Sequence, residues 1–228
     1  MHVELVCQPG NTAAKVSLRP GEICTAESGA MLAMSANMQI TTSTHKKQSG
    51  SIFKAVKRML AGESLFLNHF ETQQDDGEVW LGTGLAGDML VMPLNNDNLI
   101  VQSGSFLACD QGIEVDMGWQ GFKSLLSGES MFWLKLKGSG TVVLSSFGAI
   151  YSIEVNGDTI VDTGHIVAFS ETLQFSITKA GKSWLQSMLG GEGMVCKFSG
   201  RGTVWCQSHN AGSFGALLGP SLKAHSSE

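Results

Sequence analysis

Three glutamates recur at one place in the sequence and are the first candidates for chemistry. Glu63, Glu129 and Glu192 each follow a glycine, in the segments 60–64, 126–130 and 189–193. Carboxylates from three copies of one unit could meet around an axis and bind a hard cation such as Ca²⁺. A glutamate after a helix-ending glycine can instead accept hydrogen bonds from backbone N–H groups in its own turn, and we favour this interpretation.

A basic patch is the second candidate, and phosphate groups are what it could bind. Its members are Lys46, Lys47, Lys54, Lys57 and Arg58. Such a cluster can contact nucleic acid or, on a short amphipathic helix, an anionic membrane surface. The patch occurs in only one third of the chain, however, and the sequence carries a formal net charge of −5. We interpret it as a solvated helix face, with nucleic acid an unfavoured partner and peripheral membrane contact an alternative.

Cysteine and histidine offer metal binding or nucleophilic catalysis. The spacing of Cys196, Cys206 and His209 matches no zinc motif, so the two cysteines are predicted to be buried in the core. Cys109 would need a histidine base such as His165 beside it, and nothing in the sequence brings the two together. The sequence therefore predicts no catalytic residue, no metal site and no cofactor.

Composition indicates the class of protein that must position these residues. The chain has 228 residues, of which 43% are hydrophobic and 15% are charged, and it contains 28 glycines. This is enough apolar material for a packed core, and the glycine content is typical of folds with many tight turns. Unpaired cysteine spacing, the lack of a signal-peptide pattern and the lack of a run of about 20 apolar residues predict a soluble cytoplasmic protein without a transmembrane segment.

Three motifs occur in the same order three times along the chain. The opening motif is an acid or amide, a hydroxyl residue and a glycine, followed by apolar residues and an alanine; it lies at 27–33, 102–108 and 162–168. The Leu-x-Gly-Glu segments come second. A Gly-x-Gly-Thr-Val motif follows at 138–142 and 200–204, with a weaker form at 77–79. This order predicts one domain over 1–228 made of three diverged copies, at about 10–85, 86–146 and 147–220, with a disordered tail at 221–228.

Each predicted unit consists of strands and one short helix. Before each opening, two apolar runs flank a turn at 20–21, 95–97 or 156–157, and each pair is predicted to be a hairpin. Helical spacing at 52–60, 119–126 and 184–189 predicts one helix per copy, and a second hairpin closes each unit. In this alignment Cys196 takes the strand position of Trp133. The first residue of each opening varies in type (Glu27, Gln102, Asp162), which favours local turn bonding over a shared metal.

On these motifs the chain resembles a bacterial family first catalogued as a domain of unknown function, whose fungal member is named for altered inheritance of mitochondria. The resemblance covers about residues 1–220. It implies an all-β fold like that of the tryptophan RNA-binding attenuation protein (TRAP), a β-sandwich or double-stranded β-helix whose units form rings. It also implies a trimer of three-unit chains, and it supplies no catalytic residues.

These observations leave three functional hypotheses. The first is a non-enzymatic, homo-oligomeric binding or scaffold protein, with a trimer favoured. The second is a small-ligand or nucleic-acid binder that uses grooves between the units. An enzyme of unknown type is the third, and the lack of a catalytic motif in the sequence ranks it last.

Overall fold

The fold is built mainly from β-strands, as the sequence predicts. The structure, a computed structural model, describes residues 1–44, 66–117, 132–179 and 194–222. The strands of the first third are β1 (His2–Val6), β2 (Ala13–Leu18), β3 (Ile23–Glu27), β4 (Met31–Met34), β5 (Met38–Thr44), β6 (Phe66–Thr72) and β7 (Gly77–Leu81). Those of the middle third are β8 (Met89–Gln102), β9 (Phe106–Asp110), β10 (Ile113–Asp116) and β11 (Trp133–Ser145). The last third contains β12 (Ile150–Asp162), β13 (Ile166–Ser170), β14 (Gln174–Lys179) and β15 (Met194–Gln207), followed by helix α1 (Ala211–Leu218).

The predicted hairpins are wrong. β8 and β12 continue through their turn residues and pair with β11 and β15, which continue through their Gly-x-Gly motifs; the β8–β11 register shifts between Lys137 and Ser139. In the first third, β2 and β3 are separate strands that pair with different partners. The turn residues of paired strands face each other, so that Gly157 lies opposite Gly200, both with positive φ (+114° and +111°). The chain therefore does not reverse at these residues, and glycine accommodates the positive φ within the paired ribbon.

One pairing pattern recurs in each third of the chain. β11 pairs with β8, β9 and β10, and β15 pairs with β12, β13 and β14. In the first third two strands take the place of the long one: β6 pairs with β3 and β5, and β7 pairs with β2 and β4. The strand after each opening slips by one residue against its partner, and the motif alanines, Ala33, Ala108 and Ala168, lie opposite Trp80, Val143 and Trp205. β1, which the sequence did not predict, adds to the edge of β2.

Strand pairing also joins neighbouring thirds. β9 adds to β3, with Ala26 opposite Ala108, and β13 adds to β8, with Val101 opposite Ala168. The buried side chains mix accordingly, since one cluster contains Leu67 of the first third with residues of both others. Within the described part of the chain, β4 pairs only with β7, and β12 pairs only with β15. β4 and β12 therefore each keep a free edge.

Three sequence-based assignments need comment. Trp133 lies opposite Gln102 and Val195 opposite Asp162, so Cys196 corresponds to Leu134 and its alignment with Trp133 is wrong by one residue. The predicted helices at 52–60, 119–126 and 184–189 lie outside the described residues. Of the predicted tail, Ser221 belongs to a 3₁₀ turn, Gly219–Ser221, that follows α1.

Candidate functional site: a cavity lined by the opening motifs

A cavity of about 980 Å³ lies where the opening motifs of the three thirds meet. Each third contributes two loops to its wall, the opening itself and the loop that follows its last strand. The openings meet because each connects equivalent strand ends, and strand pairing sets the thirds side by side. The volume falls in the range of small-molecule sites in proteins. We call this space the opening cavity.

The strands fix the hydroxyl residue of each opening. The backbone N–H of Ser28 donates to the carbonyl of Phe66 at 3.0 Å, and that of Ser103 donates to the carbonyl of Phe132 at 3.0 Å. In the third opening the Thr163 hydroxyl donates to the carbonyl of Met194 at 2.9 Å. In each third, the opening is therefore held by a hydrogen bond to a carbonyl at or just before the start of β6, β11 or β15.

Glu27 brings a carboxylate into the cavity wall. It is partly buried at the end of β3, and burial raises its pKa to about 7. No hydrogen bond or ion pair to this carboxylate occurs within the described residues. Buried carboxylates are normally paired, so Glu27 leaves an unmatched acidic group facing the cavity.

The equivalent residues of the other two openings are bonded locally. Asp162 Oδ1 accepts a hydrogen bond from the backbone N–H of Gly164 at 2.8 Å. Gln102 Oε1 accepts one from the Ser105 hydroxyl at 3.3 Å. The predicted local turn bonding is thus confirmed for these two residues, whereas Glu27 makes no such bond.

Helix α1 borders the cavity and is anchored at its N-terminus. Asn210 Oδ1 accepts from the backbone N–H groups of Gly212 and Ser213 at 2.8 and 3.2 Å, and this caps the helix. The rings of Phe214 and Phe147 pack edge to face with centroids 5.3 Å apart. The Gln207 side chain connects the loop after β11 to the third opening. Its Oε1 accepts a hydrogen bond from the N–H of Phe147 at 2.9 Å, and its Nε2 donates one to the carbonyl of Gly164 at 3.0 Å. An asparagine before a short apolar run was the sequence signal that could have revealed this helix.

The described wall carries acidic charge only. Glu27 and Asp162 are its charged residues, and no lysine or arginine lines the described part. Hydroxyl and amide side chains alternate with apolar ones, among them Leu85, Phe147 and Ile166. The cavity therefore combines an acidic character with apolar contact surface.

The site residues predicted from the sequence do not contribute to this description. The repeated glutamates Glu63, Glu129 and Glu192 lie outside the described residues. The same holds for the basic patch of Lys46, Lys47, Lys54, Lys57 and Arg58.

The cysteines behave as core residues, as predicted for Cys196 and Cys206. Both are fully buried, and burial raises their pKa values to about 12 and about 11, so the thiols stay neutral. Cys109 is also buried, while His165 Nδ1 is hydrogen-bonded to the carbonyl of Gln207 at 2.8 Å. Among the described residues, no group of three or more His, Cys, Asp or Glu side chains is arranged to hold a metal.

A polar chain across three strands was missed in the sequence. The ring of His69 lies between two hydroxyls, with Nδ1 2.9 Å from Thr25 Oγ1 and Nε2 2.7 Å from Ser43 Oγ. A serine beside a histidine resembles a nucleophile and its base. None of the three residues lines the opening cavity, and we interpret the chain as cross-strand bonding.

None of the described helices is long and apolar enough to span a bilayer.

Comparison with known proteins identifies the family. The family model described as "Mitochondrial biogenesis AIM24" matches residues 3–209. An uncharacterised protein of Streptococcus pyogenes serotype M6, M6_Spy0233, is 30% identical over 210 residues, which are 90% of this chain and 84% of that protein. The crystal structure of SPYM3_0169 from Streptococcus pyogenes superposes with a TM-score of 0.79 at 26% identity, covering 97% of this chain and 99% of the other. The chain therefore belongs to the AIM24 family and is one of its bacterial members.

Proposed function

We propose that this protein is a non-enzymatic scaffold of three TRAP-like units, which assembles head to tail with copies of itself into a ring. A trimer is the size that the family resemblance favours. The observation that carries the proposal is a difference in exposure between equivalent strands: β9 and β13 are buried, whereas β4 is exposed along its length.

The recurring strand pairing supports three units of common origin. Each third has the same set of partners and the same one-residue slip after its opening motif. Because unrelated segments would not share a register irregularity, gene-internal triplication accounts for the pattern best.

The exposure of β4 supports a missing neighbour at one end of the chain. β9 and β13 are covered because each pairs with a strand of the preceding third, β3 or β8. β4 has no such second partner among the described residues, where it pairs with β7 alone. Met34 is accordingly 37% exposed, whereas the equivalent Cys109 and Phe169 are 0% and 1% exposed.

The second half of β12 offers the complementary edge at the other end. Ile160 is 63% exposed, while its equivalents, Thr25 in β3 and Ile100 in β8, are 9% and 0% exposed. Thr25 lies opposite Cys109 and Ile100 lies opposite Phe169 where the thirds are joined. By the same register Ile160 would lie opposite Met34 of another copy. An exposed apolar strand edge is a template for pairing, and two different edges that pair head to tail give a ring when the rotation between copies closes.

The cysteines support a cytoplasmic location for this assembly. All five are free thiols, and four of them are buried in the core. Proteins that keep unpaired cysteines are typical of reducing compartments.

The assembly is tested by blocking one edge at a time. Ile160→Lys places a charge on β12 and Met34→Lys places one on β4, and assembly would bury that charge, since the equivalent Ile100 and Phe169 are buried where the thirds are joined. Each variant alone should be a monomer by size-exclusion chromatography with light scattering, while the wild-type chain is oligomeric. A mixture of the two should form a one-to-one dimer, since each supplies the edge that the other lacks.

Tyr151→Lys is the matched control. Tyr151 is 47% exposed on the first half of the same strand, and among the described strands the equivalent half of β8 pairs with β11 alone. This variant should keep the wild-type mass. A monomeric wild-type chain at micromolar concentration, or variants that do not complement each other, would refute head-to-tail assembly.

A further inference from the structure

The opening cavity is not explained by head-to-tail assembly. The proposed contacts centre on Met34 of β4 and Ile160 of β12, and neither residue lines the cavity. A space of about 980 Å³ between repeated loops is large enough for a small molecule. The residues of its wall therefore indicate the chemistry of the ligand that would fit it.

The wall selects the charge of that ligand. Glu27 and Asp162 are acidic, and the described wall has no basic side chain to balance them. Asp162 is bonded to the backbone of its own turn, but the Glu27 carboxylate has no partner within the described residues. A cation would pair with Glu27 and remove the penalty of its burial.

The wall also favours an organic cation over a metal ion. Ca²⁺ takes about six to eight oxygen ligands, more than two separate carboxylates supply, and no metal-type cluster occurs among the described residues. Leu85, Phe147 and Ile166 add apolar surface that a hydrated ion would not use. An ammonium group attached to a carbon chain matches both kinds of surface.

We propose that the opening cavity binds a small organic amine, whose ammonium group pairs with the Glu27 carboxylate and whose carbon chain contacts the apolar wall. Helix α1 forms part of the site through Ala211, Ser213 and Ala216. The proposal does not require ring formation, because β4 contributes no residue to the wall and β12 contributes only its last residue, Asp162.

Calorimetric titration with 1,4-diaminobutane at about pH 8, where Glu27 is ionised, tests the proposal. The wild-type chain should bind the diamine saturably and should not bind 1,4-butanediol, a neutral molecule of the same length. Glu27→Gln, which keeps the side-chain shape, should weaken binding by at least about fivefold. Glu78→Gln is the control, since Glu78 is an exposed carboxylate that pairs with Lys15 at 2.8 Å outside the cavity.

A second variant tests the cavity without changing its charge. Ala216 is exposed on α1 and lines the cavity, so Ala216→Trp should fill the space and weaken diamine binding while circular dichroism stays unchanged. Equal binding by wild type and Glu27→Gln would show that the diamine only screens the net negative charge of the chain. That result, or the lack of saturable binding to the wild type at millimolar diamine, would overturn the proposal.

Discussion

At the scale of single residues, Glu27 differs from its counterparts in the other thirds. Asp162 and Gln102 are satisfied within their own openings, whereas the Glu27 carboxylate is partly buried without such a bond. The sequence placed all three at one position of a repeated motif and predicted local bonding for each. It could not separate Glu27 from the others, because the difference depends on burial beside neighbouring loops and not on residue type.

Glu27→Gln should therefore stabilise the protein in a pH-dependent way. The folded-state pKa of about 7 lies above the reference value of 4.5, so the ionised form is disfavoured in the folded state. Below the reference pKa the carboxyl is neutral in both the folded and the unfolded state, and its burial costs no stability. That stability is lost as the pH rises through about 7. We expect Glu27→Gln to gain about 1–2 kcal/mol at about pH 8.5, after allowance for solvent screening, and little at about pH 4.5.

Urea unfolding at the two pH values measures this difference. Asp162 is the other charged residue on the described wall, and it is unchanged in the variant. An equal change in the free energy of unfolding at both pH values would show that Glu27 is not held in an environment that disfavours its charge.

At the scale of elements, residues typical of turns lie within long paired strands. Asn156-Gly157 and the Gly-x-Gly motifs have the composition of hairpin turns, yet the strands pass through them without reversing. A glycine in the sequence indicates that the backbone can adopt a positive φ at that position, and Gly138, Gly157 and Gly200 do adopt one. Whether the chain then reverses depends on its pairing partner, which lies about forty residues away.

Gly138 and Gly157 form a matched pair for testing how closely the chain packs at these glycines. Both have φ of +114°, but a Cβ at Gly138 would lie 2.2 Å from the carbonyl oxygen of Gly112, and a Cβ at Gly157 would meet nothing within 4 Å. Gly157→Ala should cost about 1–2 kcal/mol from backbone strain alone. Gly138→Ala should cost at least about 2 kcal/mol more, since backbone must move to remove the overlap. Urea unfolding of both variants checks this, and equal losses would contradict the close approach.

At the scale of the whole molecule, the chain is an open series of joined thirds. Two junctions are formed by strand pairing within the chain, and the strands that would form a third, β4 and β12, keep free edges within the described structure. Repetition is visible in the sequence. The register of the junctions is not, because it joins strands such as β3 and β9 that are far apart along the chain.

Head-to-tail assembly predicts a concentration-dependent thermal stability. Association stabilises only the folded chain, so a tenfold rise in wild-type concentration should raise the unfolding midpoint by about 2 °C or more. Ile160→Lys should show no such dependence, because its β12 edge cannot pair. Scanning calorimetry over a range of concentrations measures both. A wild-type midpoint that does not change with concentration would argue against a stable assembly.

The sequence by itself determined the strand-rich class, the burial of Cys196 and Cys206, and the positions that recur along the chain, such as Ala33, Ala108 and Ala168. These follow from composition, hydrophobic pattern and repeated spacing, which are local properties. Only the tertiary structure decided that the turn residues lie within paired ribbons, that the three openings meet around one cavity, and that β4 and β12 keep free edges within the described part of the chain. Each of these depends on which distant strand pairs with which, and local propensity does not specify the partner of a strand.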